Sequence, residues 1–186
     1  MTRLTEKPRS ELAVEQQDLF DKLAAGRSGT PDGHIGGPFD AWVRSPEMGS
    51  RIAGLGNMFR FRTSCDRRNV EIVILVTGQF WRAQFEWWAH APMALDAGVS
   101  QDVIDAIQDG RQPAFTRKDE EAAWRLAVEL HNDHQISDET YASAVSHFGE
   151  PGVSELVNLA GYYTMVSMTL NAFTVPLPDG AEPPFK

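Results

Sequence analysis

Three residues with acid–base chemistry stand inside an otherwise apolar part of this chain: Glu71, Glu86 and His90. Glu71 interrupts the run Val70, Ile72, Val73, Ile74, Leu75, Val76, which covers nearly the whole circumference of a helix and so predicts a helix buried on most sides. Glu86 and His90 lie four residues apart among Phe80, Trp81, Phe85, Trp87 and Trp88, which places them on one helical face, with Ala83 preceding them there. An imidazole exchanges protons near neutral pH, so His90 is the natural general acid/base, with Glu71 or Glu86 holding one ring nitrogen so that the other faces a substrate. Two carboxyls placed close together also push one of them upward into the range of a proton donor. Arg60, Arg62, Arg68 and Arg82 are the candidates for clamping a substrate carboxylate. His131 and His134 flank Asp133 without a third helix-spaced ligand, so no metal is expected, and His34 reads as a solvated turn residue.

Helices must position these groups. The central one starts after a Ser64 or Asp66 cap, with Arg68 placed to pair with Glu71 at i,i+3, and yields to the next between Gly78 and Arg82. The second carries Pro92 just after His90, which predicts a kink, and closes at Gly98 before Ser100 opens another helix through Val103, Ile104 and Ile107. Upstream, an amphipathic helix over 12–25 is followed by the Gly- and Pro-rich loop GRSGTPDGHIGGP, a short helix over 38–44 and a longer one over 47–60. Downstream, helices are expected over 118–132, 138–148 and 153–173, with a break at Gly149-Glu150-Pro151-Gly152. The tail VPLPDGAEPPFK should be extended and is a candidate to wrap a neighbouring subunit. No stretch alternates as a strand would, so the chain reads as all-α with eight or so helices.

The order Glu71, Ala83 twelve residues on, Glu86, His90 and then APMALDAGVS resembles the carboxymuconolactone decarboxylase and alkylhydroperoxidase D superfamily, from about Gly37 through to Asn171. In the peroxidase branch of that superfamily the positions of Ala83 and Glu86 are the two cysteines of a CxxC pair, while Glu71 and His90 match its proton relay. Both cysteines are absent here, and the single Cys65 matches neither position. The resemblance therefore implies an alkylhydroperoxidase D-like helical bundle, assembled as homotrimers or hexamers with each site near a subunit interface. It also implies an acid–base site that has lost its thiols.

The expected activity is a decarboxylase-like lyase, or a lactone-opening or isomerising enzyme, with Glu71, Glu86 and His90 catalytic. Arg68, Trp81, Arg82, Trp87 and Tyr163 are the expected substrate contacts, and no cofactor is expected. Thiol peroxidase activity is disfavoured because it needs a thiolate and a resolving thiol. A noncatalytic oligomeric binding protein is the third reading. The 186 residues suit one domain, read as an N-terminal helix and loop over 1–36, a helical domain over 37–175 and a Pro-rich tail over 176–186. A net charge of −9 argues against nucleic acid, no stretch is apolar enough to span a bilayer, and a lone cysteine fits a cytoplasmic setting.

Overall fold

The computed structural model describes residues 2–5, 7–25 and 34–186. It is all-α among those residues. After a 3-10 turn at Arg9–Glu11 come α1 (Val14–Ala24), α2 (Phe39–Val43), α3 (Pro46–Phe61), α4 (Arg67–Phe80), α5 (Gln84–Ala97), α6 (Gln101–Gln108), α7 (Lys118–Asn132) and α8 (Asp138–Ala172). The glycine-rich reading at 26–33 lies outside the described residues. None of the described helices is long and apolar enough to cross a membrane.

The apolar run of α4 makes it the axis of the bundle, with Asn69 through Gly78 buried and α5, α7 and α8 packed around it. Asp66 caps it by accepting from the Arg68 amide at 3.0 Å. Arg68 itself does not reach Glu71. Its guanidinium turns back to Asp66 and across to Asp119 and Glu120 of α7, and Arg67, one turn before Glu71, takes the carboxylate instead. The α4–α5 turn is tight: Arg82 adopts φ 48°, the Ala83 amide donates to the Gly78 carbonyl at 2.9 Å, and Asn171 of α8 holds the Trp81 carbonyl at 2.8 Å. Helix α5 runs through Pro92 to Gly98, whose φ of 98° ends it in the left-handed cap its sequence predicts. The two predicted C-terminal helices form one track, interrupted at Gly149 (φ 64°, ψ 170°).

Close approach of α3 to α8 depends on Gly56. A Cβ there would overlap the Tyr162 hydroxyl and stand 2.9 Å from its ring carbon Cζ, and that ring is buried. Gly56→Ala gains about 1 kcal/mol of helix propensity but forces the ring off its seat, so a net loss of about 1–2 kcal/mol is expected in denaturant titration. An unchanged or higher midpoint would show that Tyr162 has room to move.

The end of the tail packs on its own chain. Phe185 is buried edge-on to Trp87, both amide atoms of Gln84 bond its backbone, and Gln108 holds the Pro184 carbonyl. Burying one phenylalanine is worth about 1.5–3 kcal/mol. Phe185→Ala should therefore lower stability by up to that amount and open the tail to limited proteolysis; a resistant tail would mean the Gln84 clamp suffices.

Candidate functional site

Helices α4, α5 and α8 bring the acid–base residues to one place. Glu71, fully buried on α4, accepts from His90 Nδ1 of α5 at 2.8 Å through Oε2, while its Oε1 meets the Arg67 guanidinium. A carboxylate on Nδ1 fixes that nitrogen as the protonated one and leaves Nε2 as the nitrogen available to a ligand. The Tyr163 ring stands edge-on to the imidazole at 5.1 Å and restrains its rotation. Burial raises the Tyr163 phenol well above its usual range, with Glu71 and Glu86 adding to the effect, so its hydroxyl stays protonated.

Glu86 is a carboxyl of a different kind. It is buried, no cation among the described residues pairs with it, and burial pushes it well above the ordinary carboxyl range despite the hydrogen bond that Ser167 donates to Oε2 at 2.9 Å. Desolvation thus outweighs both that bond and the favourable first-turn position on α5. Burial favours the protonated form of Glu86, and its Oε1 has no partner among the described residues. One buried carboxyl is balanced by Arg67, while burial favours the protonated form of the other. That division separates an anion that steadies a histidine from an acid that can donate.

His90, Glu86 and Tyr163 line a cleft of about 790 Å³ between α2, α3, α5 and α8. Its walls are largely aromatic, with Phe39, Trp42, Phe61, Phe85, Trp88 and Tyr162, and Arg60 stands among them. The volume suits a small organic molecule. Phe61 and Trp88 at this cleft are exposed by 70% and 40%.

The sequence matches no family model and no curated protein. Its structure is similar to that of a peroxidase-related protein from Silicibacter sp. TM1040, with a TM-score of 0.73, 13% identity and coverage of 94% of this chain and 91% of the other. It is also similar to the debrominase Bmp8, solved as a cysteine-to-alanine variant in complex with 2,3,4-tribromopyrrole, with a TM-score of 0.71, 12% identity and coverage of 96% and 95%. A third similar structure is a protein of unknown function from Agrobacterium tumefaciens, described as a candidate antioxidant defence protein AhpD, with a TM-score of 0.67, 14% identity and coverage of 76% and 98%. The fold is AhpD-like.

In this AhpD-like frame the single cysteine is away from the cleft. Cys65 lies before α4 with Sγ 3.6 Å from the Gly152 carbonyl, and burial pushes its thiol up, which lowers its reactivity. Ala83 is buried at the N-cap of α5.

Of the residues expected at the site, Glu71, Glu86, His90 and Tyr163 are brought together. The other four expected substrate contacts are not. Arg68 is engaged by the acids of α7; the Trp81 indole donates to Thr164 at 3.4 Å; Arg82 meets the Lys186 carbonyl and the Phe185 ring; Trp87 packs under Phe185. On a helix, Trp87 lies about 100° round from Glu86, whereas His90 and Met93 return to its face. Arg60, one of four arginines the sequence leaves open, is the one that lines the cleft. Trp42 and Tyr162 also line it without having been expected there. For Arg60 a signal existed, since Gly56 and Arg60 sit at i,i+4 on one face of α3. Trp42, in a five-residue helix after a glycine-rich loop, offers none. His131, read as part of a polar helix end, instead packs inward, with Nε2 2.9 Å from the Thr77 hydroxyl and its ring stacked on Phe80.

Proposed function

We propose that this chain is an enzyme that moves protons on a small organic substrate without thiol redox chemistry. The carrying observation is the pairing of two unlike carboxyl environments at one cleft: a histidine oriented by a buried carboxylate that Arg67 balances, beside a buried carboxyl held by Ser167 alone, whose protonated form burial favours. His90 Nε2 takes a proton from substrate carbon or from water, and the resulting imidazolium is stabilised by Glu71, itself held by Arg67. The released electron pair moves onto a substrate oxygen, which Glu86 stabilises by donating its carboxyl proton. Lactone opening and isomerisation fit that scheme. In decarboxylation the bond to the substrate carboxylate breaks instead and CO2 leaves; the electron pair moves onto the oxygen that Glu86 protonates, and protonated His90 Nε2 then delivers a proton to the carbon as the pair returns. A decarboxylase-like lyase is the reading preferred here. The tribromopyrrole bound by the debrominase supports a small, flat occupant, since the cleft in this chain is walled by aromatic rings. A homotrimer or hexamer, implied by the family resemblance, is part of the proposal, as is a cytoplasmic setting; exposed Phe61 and Trp88 support an assembly that covers the cleft.

The names of two similar structures favour a second reading, peroxide reduction. It lacks a thiol at the cleft, and Cys65 alone supplies no resolving partner. Turnover by the purified protein, Cys65→Ser and His90→Gln on unsaturated carboxylated lactones and on hydroperoxides with a dithiol separates the two. Lactone turnover that survives Cys65→Ser supports the acid–base reading; peroxide turnover that depends on Cys65 overturns it.

A further inference from the structure

The cleft holds a cation with no counter-charge among the described residues. Arg60, on the last turn of α3, is half-buried, and its side chain makes no hydrogen bond or ion pair with any described residue. Its Nε is fully shielded from water yet has no acceptor among the described residues, an arrangement that costs free energy until an acceptor arrives. Arg60 differs in this from Arg67, which is matched by Glu71, and from Arg68, which is matched by three acids. A guanidinium does not lose its proton, so the charge is permanent. The single carboxyl among the described lining residues is Glu86, against which stand two cations, Arg60 and, at the rim, Lys22. In a chain of net charge −9, the cleft is therefore locally positive. The Trp42 indole N–H, also in the lining, is likewise buried without an acceptor among the described residues.

We infer that the cleft selects planar organic anions, with Arg60 as the residue that binds the negative group and the aromatic walls taking the ring. The inference rests on the proposed function for the chemistry that follows binding, but the selectivity itself is independent of turnover. Arg60 holds the anionic end while His90 Nε2 and Glu86 address the rest of the molecule. A guanidinium does this better than an ammonium because its fork matches two oxygens of a carboxylate.

The test uses benzoate and benzamide, flat molecules of nearly equal shape that differ in charge, titrated calorimetrically into the full-length protein. A charge-assisted hydrogen bond predicts that wild type binds benzoate about 10- to 100-fold more tightly than benzamide. Arg60→Gln should abolish that preference, Arg60→Lys should keep part of it, and His90→Gln should leave it within about threefold of wild type. Equal affinity for the two probes in wild type, or no benzoate binding, overturns the inference without need of any variant. A preference that survives Arg60→Gln and disappears in His90→Gln also overturns it, because the anion would then be held by imidazolium. Loss of turnover in His90→Gln with benzoate selectivity intact keeps the anion site, whatever becomes of the proposed reaction.

Discussion

His90→Gln is expected to lower kcat by about 100- to 10,000-fold on whichever substrate the wild-type protein turns over, the range over which a positioned general acid–base residue acts. Glutamine is the instructive replacement. Its amide can still donate to Glu71 Oε2, which keeps that fully buried carboxylate from losing a partner, yet it carries no nitrogen able to accept a proton. Alanine would remove the donor as well and add a destabilisation of about 1–3 kcal/mol for the orphaned carboxylate oxygen, confusing a folding defect with a chemical one. Because the imidazole acts on the reacting atoms, kcat should fall while KM changes little. Glu71→Gln should retain the geometry but lose the negative charge that stabilises imidazolium, so its kcat should lie between those of wild type and His90→Gln. A His90→Gln protein with wild-type kcat would remove the histidine from the chemistry and leave the Glu71–His90 pair a structural element.

Glu71 and His90 were legible because each violates the apolar pattern around it: a charge in a run that covers a helix on all sides has to be balanced by something. The all-α architecture was legible for the same reason, since caps at Asp66, Gly98 and Ser100 and the helical periodicity between them agree. What failed was the choice between near-equivalent neighbours. Arg67 at i,i+4 and Arg68 at i,i+3 both reach Glu71 on helical geometry alone, and the choice was decided by Asp119 and Glu120 some fifty residues away. Trp87 was chosen with Glu86 and His90 by proximity in sequence, but it faces Phe185, a contact made by a tail whose docking no local pattern announces. The half of the cleft that comes from α2 and α3 depends on where Gly49 and Gly56 let those elements approach: a Cβ at Gly49 would collide with the Trp42 backbone. Such close approaches are properties of pairs of elements, and a single chain read in order does not display them.

Glu86→Gln is expected to stabilise the protein at neutral and alkaline pH while lowering its turnover. Burial holds the Glu86 carboxyl well above the ordinary glutamate range, so the folded chain keeps a proton that the unfolded chain releases as pH rises through that range. Between the two pKa values the native state therefore binds more protons than the unfolded state, and its stability falls as pH increases. The limiting slope for one proton is on the order of 1 kcal/mol per pH unit. Glutamine has no such proton, fills nearly the same volume and still accepts from Ser167 through its amide oxygen. Melting temperatures of wild type and Glu86→Gln should thus coincide near pH 4 and separate steadily above pH 5 in favour of the variant. Turnover should move the other way, because the amide cannot deliver a proton to the substrate oxygen. Opposite signs in one substitution are the mark of a group kept for chemistry at a cost to the fold. Parallel melting profiles across pH 4 to 8 would show Glu86 to be ionised in the native protein, and the cleft would then be left with a carboxylate and no carboxylic acid.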